Sequence, residues 1–478
     1  MEFLLILASP LAAAILPAFV RSKRSIIEGG TLLAAACVVG GIVRLALQVA
    51  SEGAVTYSGY LALDPLGALF AIVVALVGCS AAFYAVGYLR EETRHGSIGM
   101  HRVRQFFALF NLFLFSMLAA IVTTNPVLMW IAIEATTLST VFLISFYGKP
   151  NTVEAAWKFL IINSVALLLG FLGTLLFMST SATFGSTWLF TDTAAVDGEL
   201  LKIAFILVII GFGTKTGFVP LHTWLPDAHG MAPSPISSLL SGALLNVSFY
   251  ALLRFKILID PVLGVEFSRT LFVAFGVLSV SIAALLIFSQ RNYKRLLAYS
   301  SIEHMGIMAL GCAVGGSTIF ASLLHMIYHA ITKSLLFLAS GTIVLKYATA
   351  KIAGIKGLAR VLPLTAPLFF LGLLSITGVP PFGIFFTELS ILVGLMSLHP
   401  VIAAVLLISL VLVFIGVMKH ASSMMGGDAP RGTVERGEFN AWTVVPLGVL
   451  ALLLLALSIG VPPVLETLLQ AAVERFNR

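Results

Sequence analysis

The feature that most constrains this chain is a succession of long apolar segments with almost no charged residues. A helix that crosses a bilayer needs about 20 mostly apolar residues, and dividing the chain at charged and Gly/Pro-rich breaks gives about fourteen such segments. Only 10 % of the 478 residues are charged and 59 % are hydrophobic, whereas soluble domains average about 25 % charged residues. The chain has too little polar surface for a water-soluble protein. We therefore predict an all-α, polytopic membrane protein.

The predicted spans leave no room for a soluble domain. They cover approximately residues 2–20, 29–50, 66–88, 106–124, 126–147, 156–178, 201–219, 236–257, 270–289, 297–313, 317–345, 365–395, 400–418 and 442–461. The longest polar stretch, around 419–440, has the length of a loop rather than of a folded unit. The first span lacks a basic flank before it, so we interpret it as a retained helix rather than a signal peptide. A single membrane domain over 1–478 is predicted.

Loop charge predicts the orientation, because lysine and arginine are retained on the cytoplasmic side of a membrane. The loops after spans 1, 3, 9 and 11 are basic, with Arg21, Lys23, Arg24, Arg90, Arg94, Arg102, Arg104, Arg291, Lys294, Arg295, Lys346, Lys351, Lys356 and Arg360. The loops after spans 2 and 6 are acidic, with Glu52, Asp64, Asp192, Asp197 and Glu199. One region disagrees, since Arg254, Lys256 and Arg269 flank span 8 on the predicted outer side. Both termini are nevertheless predicted to lie outside.

Charge and cysteine content exclude two other classes of protein. The net charge of +7 comes from 28 Lys and Arg spread thinly along the chain, which is not the basic patch of a nucleic-acid binder. Cys37, Cys79 and Cys312 lie far apart within apolar stretches. A disulfide framework and a cysteine-ligated metal site are therefore not expected.

A short motif occurs twice and interrupts a long apolar segment each time. Thr216-Gly217-x-x-Pro220 in span 7 recurs as Thr377-Gly378-x-x-Pro381 in span 12. The predicted topology orients these two spans in opposite directions, as in inverted repeats whose broken helices place backbone dipoles near the middle of the membrane. We therefore predict that helices 7 and 12 are broken.

Four charged residues lie inside predicted spans: Glu134, Lys215, Lys333 and Glu388. A charge at the centre of a membrane helix costs about 2.5–3.5 kcal/mol on insertion scales, so each is a functional candidate. The alternative for any one of them is a buried ion pair that only holds helices together. Four such residues in one chain favour a function.

The most regular pattern of polar residues lies in span 11. His325, His329 and Lys333 follow one another at four-residue spacing, which places them on one helical face with about 6 Å of rise between neighbours. Histidine titrates near neutral pH, so such a row is suited to passing protons. Paired histidines also suggest a metal site, but no carboxylate or cysteine shares that face of span 11, and no metal is predicted.

Other polar residues admit two interpretations each. Lys158 either reaches the network of Glu134 or extends to the membrane surface. The residues that follow the break of span 7 either line a proton entrance or support irregular backbone, and those early in span 10 form either part of a wet half-channel or a surface pair. These two groups are His222, Asp227 and His229, and Glu303 and His304.

Several motifs together resemble one family. They are Trp130-Ile-Ala-Ile-Glu134, Lys215-Thr-Gly-x-x-Pro220-x-His222-x-Trp224-Leu-Pro226-Asp227-Ala-His229, Lys294-Arg295-Leu-Leu-Ala-Tyr299-Ser300-Ser301 and His325-x-x-x-His329-x-x-x-Lys333. They resemble the antiporter-like subunits of respiratory complex I over nearly the whole chain. Within that superfamily, Glu134-Ala-Thr-Thr-Leu-Ser139, Glu154-Ala-Ala-Trp-Lys158 and Gly211-Phe-Gly-Thr-Lys-Thr-Gly217 are most similar to component F of hydrogenase-4 and related group 4 membrane-bound hydrogenases.

The resemblance implies two inverted five-helix repeats, spans 4–8 and 9–13, each with a half-channel. The chain then divides into N-terminal helices 1–3 (1–105), a first repeat (106–260), a second repeat (268–420) and a C-terminal helix 14 (440–478). The resemblance also implies that Glu134, Lys215, Lys333 and Glu388 form a proton path, with Glu388 at its exit. Where relatives often carry Lys or His on span 8, this chain has Asn246. Because Asn does not titrate, the link from Lys215 to Lys333 is expected to use water or other side chains.

We therefore predict a proton-translocating membrane subunit of a redox-driven complex of the hydrogenase-4 type in a prokaryotic cytoplasmic membrane. The sequence has no flavin, nucleotide, haem or iron–sulfur motif, so no cofactor is expected, and neighbouring subunits with iron–sulfur and nickel–iron centres are expected to carry the electrons. Two alternatives share the fold: a subunit of a multisubunit Na⁺/H⁺ antiporter, and a membrane subunit of a complex I NADH dehydrogenase. A structural spacer with inactive channels is a third.

Overall fold

Helices form at all the predicted spans in the computed structural model, which describes residues 1–20, 23–180, 198–428 and 435–476. Three charged loop residues used above for orientation, Arg21, Asp192 and Asp197, lie outside these ranges. Within the described ranges, twelve helices are long and apolar enough to cross a membrane, and Thr365–Ile376 and Gly383–Leu398 are shorter apolar helices. The chain is thus a multi-span helical membrane protein, while the total of fourteen spans stays a prediction.

The helices are, in chain order, α1 Glu2–Phe19, α2 Arg24–Glu52, α3 Pro65–Arg94, α4 Met100–Val122, α5 Pro126–Ile144, α6 Pro150–Ser179, α7 Gly198–Thr216, α8 Trp224–Met231, α9 Ser234–Leu239, α10 Leu245–Leu263, α11 Val265–Phe288, α12 Tyr293–Val314, α13 Ser317–Tyr347, α14 Leu358–Val361, α15 Thr365–Ile376, α16 Gly383–Leu398, α17 Pro400–Met425, α18 Ala441–Ile459 and α19 Pro463–Glu474. A π-helical turn, Leu240–Leu244, joins α9 to α10 without a break, and a 3₁₀ turn covers Ile352–Gly354.

Capping residues determine where several helices begin. The side chains of Asp64, Asn125, Asn292 and Asn440 accept hydrogen bonds from backbone N–H groups in the first turn of α3, α5, α12 and α18. Such caps satisfy N–H groups that have no partner within the helix. Polar first turns also explain why α6 begins at Pro150, six residues before the apolar segment that predicted it.

The central helices are almost fully enclosed by the others. In an 18-residue apolar window of each span, 94–100 % of the residues are buried for Ser234–Leu263, Tyr293–Val314 and Ser317–Tyr347. The corresponding share is only about a third for Glu2–Phe19 and Pro400–Met425. Helix α13 packs against α3, α9, α12, α15, α16 and α18. The exposed apolar sides of the outer helices suit a lipid environment, so the polar side chains of α12 and α13 lie in the protein core.

The basic residues that contradicted the loop-charge pattern around span 8 are neutralised by nearby acids. Arg254 forms a buried, bidentate ion pair with Asp64 at the start of α3. Lys256 pairs with Asp260 at 2.6 Å and also donates to Ser268, and Arg269 pairs with Glu266. Paired charges contribute little net field, which explains why this region departs from the pattern of the other loops.

Several elements lie outside the predicted spans, among them a hairpin and a C-terminal helix. A small antiparallel hairpin, β1 Val55–Tyr57 and β2 Leu61–Leu63, connects α2 to α3, so the all-α expectation omits one short sheet. Ser58 and Gly59 turn this hairpin with positive φ angles. The second element is α19, which follows α18 and buries Leu468, Leu469 and Ala472 against α2, α3 and α13.

We predict that Gly211→Ala lowers the thermal stability of the protein in detergent. Helices α6 and α7 touch backbone to backbone here, and a Cβ at Gly211 would lie 2.7 Å from the Gly170 nitrogen and 2.9 Å from the Ala166 oxygen. Forcing packed elements apart costs about 1–3 kcal/mol. Gly40→Ala is the matched control, because nothing lies within 4 Å of its added methyl group. Equal melting temperatures for the two variants would contradict the close packing.

Candidate functional site

The charged pair at one side of the site is joined through a hydroxyl group. The Lys215 Nζ donates to the Thr137 Oγ1 at 2.7 Å, and that hydroxyl donates to the Glu134 carboxylate at 3.3 Å. Ser164 donates to the other Glu134 oxygen at 2.7 Å. Lys215 is fully buried, with its ammonium 4.8 Å from the centre of the Phe159 ring. Thr137 therefore separates the two charges and hydrogen-bonds to both.

The end of α7 places Lys215 beside irregular backbone. The helix ends at Thr216, and Gly217 follows with φ of 90°, a conformation that favours glycine. The freed Thr214 carbonyl accepts a hydrogen bond from the Trp224 Nε1 at 2.9 Å. The carbonyl end of a helix carries partial negative charge, so Lys215 lies at the end of α7 that attracts a cation.

The breaks in spans 7 and 12 have the same local hydrogen bonding. After α7, Gly217 and Phe218 donate backbone hydrogen bonds to Thr214 and Gly213. After α15, Gly378 and Val379 donate in the same way to Ser375 and Leu374. Gly378 also has a positive φ, of 63°. The prediction that both spans are broken agrees with the observed ends of α7 and α15.

Serine hydroxyls lie next to Lys333 and its partner Ser300 in the chain. Ser241 and Ser301 are hydrogen-bonded at 2.7 Å, and Ser238 donates to Ser334 at 3.1 Å. Lys333, which is fully buried on α13, donates to the Leu297 carbonyl at 2.8 Å and to the hydroxyl of Ser300. Hydroxyl groups both donate and accept. The segment from α9 to α10 is thus joined to α12 and α13 through hydroxyl groups.

Asn246 and His229 border this region and keep polar atoms free of protein partners. The Asn246 amide nitrogen donates to the Gly242 carbonyl at 2.8 Å, inside the π-helical turn. Its oxygen, and both ring nitrogens of His229, are buried without a hydrogen-bond partner among the described residues. The His229 ring stacks on Phe337 at 4.7 Å. Buried polar atoms of this kind are normally satisfied by ordered water.

The histidines of α12 and α13 form one cluster. His304 Nδ1 and His325 Nε2 are 2.8 Å apart, and the outer nitrogens of these two rings contact the Ile376 carbonyl at 2.9 Å and the Thr387 hydroxyl at 2.8 Å. The His329 ring lies 5.3 Å from that of His304, and neither of its nitrogens has a partner among the described residues. His304 on α12 thus joins the histidines that the sequence predicted as a row on span 11.

Two carboxylates border the histidine cluster. Glu303 on α12 is buried, so the surface-pair interpretation of Glu303 and His304 is wrong. Glu388 on α16 is also buried and lies against Gly378 in the break of span 12. Donor atoms of His304, His325 and Glu388 all lie within 4.8 Å of one another. The sequence argument against a metal considered span 11 alone, whereas the fold adds a carboxylate from α16.

The remaining candidates lie at the ends of the helices. Lys158 pairs with Glu154 at 2.7 Å and with Asp227 at 3.4 Å, so the structure does not join it to Glu134. Asp227 also pairs with Arg295 and so connects α8 to α12. His222 lies in the backbone break near Tyr299. Asp227 thus pairs with residues of α6 and α12, while its two interpretations from the sequence, proton entrance and backbone support, stay predictions.

Sequence reasoning missed the hydroxyl groups that connect the charged residues. Thr137 lies three residues after Glu134 on one helix, a spacing that places two side chains on the same face, so this residue was detectable. Ser300 and Ser301 belong to one of the family motifs quoted above but were not singled out, and Ser164 and Thr387 carried no signal. Their partners come from other helices, and serine and threonine are common in membrane helices.

We predict that Gly378→Ala destabilises the protein more than Gly96→Ala does. Both glycines have a φ of 60–75°, but a Cβ at Gly378 would collide with the Glu388 carboxylate, whereas nothing lies within 4 Å of one at Gly96. Left-handed backbone costs a non-glycine residue about 1–2 kcal/mol at either site. The excess loss at Gly378 should disappear in a Gly378→Ala, Glu388→Ala double variant, as a thermal double-mutant cycle can measure. An excess that persists would show that Glu388 is not the group in contact.

Comparison with known proteins identifies the family. The family model described as NADH:quinone oxidoreductase/Mrp antiporter, TM matches residues 123–416. A hydrogenase-4 component F homolog of Methylacidiphilum infernorum is 40 % identical over 357 residues, which cover 73 % of this chain and 75 % of the relative. NADH-quinone oxidoreductase subunit N of Desulforudis audaxviator is 30 % identical over 436 residues, 86 % of this chain and 84 % of the relative.

Solved structures share the fold over nearly the whole chain. A chain of the Mrp complex from Dietzia sp. DQ12-45-1b superposes with a TM-score of 0.88 at 20 % identity and covers 100 % of this chain and 98 % of its own length. A chain of the membrane-bound sulfane sulfur reductase, an archaeal respiratory membrane complex, gives 0.87 at 24 % identity, covering 99 % and 97 %. Both belong to multisubunit membrane complexes. The chain is therefore a member of the antiporter-like membrane subunit family that complex I, Mrp antiporters and group 4 hydrogenases have in common.

Proposed function

We propose that the chain moves protons through the membrane as one subunit of a redox-driven complex of the hydrogenase-4 type. The observations that carry this proposal are three buried groups of titratable and hydroxyl side chains: Glu134 with Thr137 and Lys215, Lys333 with Ser300, and His304 with His325 and Glu388. Buried charges are costly in a membrane. A succession of them in contact with hydroxyls and histidines is better explained by proton transfer than by packing.

The bond between Thr137 and Lys215 provides a means of control. A negative Glu134 stabilises the ammonium form of Lys215 through the intervening hydroxyl and through space. When a neighbouring subunit moves or neutralises Glu134, Lys215 loses that stabilisation and releases its proton toward the serines of α9, α12 and α13. Moving one proton against 100 mV requires about 2.3 kcal/mol, and the energy is supplied by the partner subunits.

In the second half of the path, Lys333 receives the proton and the histidine cluster passes it to Glu388. Asn246 does not titrate, so it contributes through its amide hydrogen bonds, with water completing the link. His222, His229 and Glu303 line the buried region on either side. Glu388 serves as the exit, with both termini outside a prokaryotic cytoplasmic membrane and inverted repeats over spans 4–8 and 9–13.

The partners proposed are membrane and peripheral subunits that bear iron–sulfur and nickel–iron centres. This chain itself holds no cofactor in the proposal. The 40 % identity with a hydrogenase-4 component F homolog favours this assembly. A complex purified through a tag on this chain should contain iron and nickel. A complex without either metal that exchanges Na⁺ for H⁺ would instead establish the Mrp-type alternative, and one with iron but no nickel would favour a complex I-type dehydrogenase.

Replacing Lys333 is the direct test of proton translocation. In vesicles that contain the complex, we predict that Lys333→Ala reduces proton translocation by about a hundredfold, the scale on which a positioned proton donor contributes. Asn246→Ala should have a smaller effect, because Asn246 does not store a proton. The control is Lys346→Ala on the same helix, whose ammonium lies over the Phe439 ring outside the path. Full translocation by an assembled Lys333→Ala complex would refute the proposal and leave the structural spacer.

Replacing Thr137 tests the link between the two charges. We predict that Thr137→Val reduces translocation nearly as much as Glu134→Gln, because the first change removes the hydroxyl that joins the carboxylate to Lys215 and the second removes the charge itself. Thr137→Ser keeps the hydroxyl and should retain activity. The measurement is dye-reported acidification of vesicles at equal complex content. Thr140→Val is the control, since the Thr140 hydroxyl bonds only the Thr136 carbonyl of its own helix. Wild-type rates for Thr137→Val would show that the bridge is not required.

A further inference from the structure

One end of the hydrogen-bonded row Ile376–His304–His325–Thr387 has a fixed direction. A backbone carbonyl only accepts hydrogen bonds, so the His304 Nε2 that contacts the Ile376 oxygen at 2.9 Å carries a hydrogen. The Nδ1 of a neutral His304 then accepts. His325 Nε2, 2.8 Å away, must donate to it. Ile376 is the last residue of α15, so the break in span 12 supplies the carbonyl that sets this tautomer.

The other end of the row is free to change direction. The remaining nitrogen of His325, Nδ1, contacts only the hydroxyl of Thr387, at 2.8 Å. A neutral His325 accepts at Nδ1, and Thr387 donates to it. A protonated His325 donates from Nδ1, and Thr387 then accepts while turning its own hydrogen to the Ile384 carbonyl at 2.9 Å. Both protonation states of His325 are therefore fully hydrogen-bonded in one and the same packing.

We propose that Thr387 is a positioning residue for proton transfer, a hydroxyl with two orientations that lets His325 take up and release a proton at Nδ1. This inference rests on the proposed function and adds a residue to its path. His304 is the fixed end of the row, because a proton that reached it has no acceptor beyond the Ile376 carbonyl. The path from Lys333 to the exit therefore passes through His325 and not through His304.

The transfer needs no other reactant. On uptake, one N–H bond of the Lys333 ammonium breaks, the proton passes through bridging water, an N–H bond forms at Nδ1 of His325, and the Thr387 hydroxyl rotates toward Ile384; Lys333 is then neutral and His325 is a cation. On release, that N–H bond breaks, an O–H bond forms on the Glu388 carboxylate, and the hydroxyl rotates back. One ring nitrogen of His325 and a Glu388 oxygen lie within 4.8 Å of each other, so a bridging water can join the two side chains. After this step, the His325 ring and the Glu388 carboxyl group are both neutral.

Titratable groups lie around His325 on three helices. His304 on α12 is 2.8 Å from it, a Glu388 oxygen on α16 lies within 4.8 Å of one of its ring nitrogens, His329 and Lys333 follow it at four-residue spacing on α13, and Glu303 precedes His304 on α12. A charged Lys333 and a charged His325 repel each other, because they carry the same sign on one face of α13. Lys333 and His325 are thus expected to hold a proton in turn rather than together, which fits transfer from one to the other.

The test compares Thr387→Val, which keeps the shape and removes the hydroxyl, with Thr387→Ser, which keeps the hydroxyl. Nitrogen-15 NMR of the complex in lipid, with labelled histidine assigned through His304→Asn and His325→Asn, reports which ring nitrogens are protonated. In the wild type we expect His304 to keep one protonated nitrogen, Nε2, at every pH, and His325 to gain a second at low pH. Thr387→Val should lose the doubly protonated His325 signal from that pH range and leave the His304 tautomer unchanged.

Translocation provides the second readout. Thr387→Val should slow it about tenfold, the factor expected from losing one hydrogen bond to a charged group, and Thr387→Ser should restore it. Thr377→Val is the control, because the Thr377 hydroxyl donates only to Leu373 and Leu374 carbonyls. The NMR outcomes are independent of the Lys333 test, because the NMR signals are read without turnover.

Three results would overturn the inference. The first is a wild-type pH response of His325 in Thr387→Val, and the second is a His304 that is protonated at Nδ1. The third is one zinc ion per chain in the wild-type complex that is lost in both His304→Asn and Glu388→Gln. In that case the facing nitrogens of the two rings, His304 Nδ1 and His325 Nε2, bind a metal together with Glu388, and the row does not carry a proton.

Discussion

The rest of the structure depends on one constraint: within a membrane, every backbone N–H and C=O group must find a partner inside the protein. Breaking a helix there frees carbonyl groups, and this chain uses them to orient side chains. The Thr214 carbonyl at the end of α7 holds Trp224, and the Ile376 carbonyl at the end of α15 holds His304. The break of span 7 is largely buried, whereas in the break of span 12 the exposed residues are Pro380 and Pro381, which have no backbone N–H group to satisfy. Irregular backbone is therefore tolerated at the places where the buried charges lie.

The site contains few charges and many neutral groups that can both donate and accept hydrogen bonds. Lys215 and Lys333 each contact a hydroxyl, from Thr137 and Ser300. A hydroxyl costs much less to bury than an ion, provided that it is hydrogen-bonded. The buried lysines therefore contact hydroxyl groups, whose burial costs less free energy than that of further ions. For Lys215 and Glu134, the hydroxyl of Thr137 also lies between the two charges.

The helices and the charged residues were predictable because both depend on the local sequence. Apolar segments predicted the spans, and a lysine or glutamate inside one is conspicuous, as with Lys215 and Glu388. The contacts between helices were not predictable, because they depend on which faces meet. His304 and Glu388 join the row of α13 from two other helices, and Thr387 bonds His325 across one interface. The ion pair of Arg254 with Asp64 likewise joins residues 190 positions apart, so loop charge alone did not reveal it.

The hydrogen bond between Ser241 and Ser301 has a consequence for direction. At 2.7 Å, either hydroxyl can be the donor, so in the proposed path this pair would pass a proton in either direction. Each transfer along that path would reverse the orientation of both hydroxyls, and they would have to turn back before the next proton followed. The rate of the proposed transport would then include a reorientation step as well as a transfer step. Under the proposal, the direction of transport is therefore set by when Glu134 and Glu388 change charge.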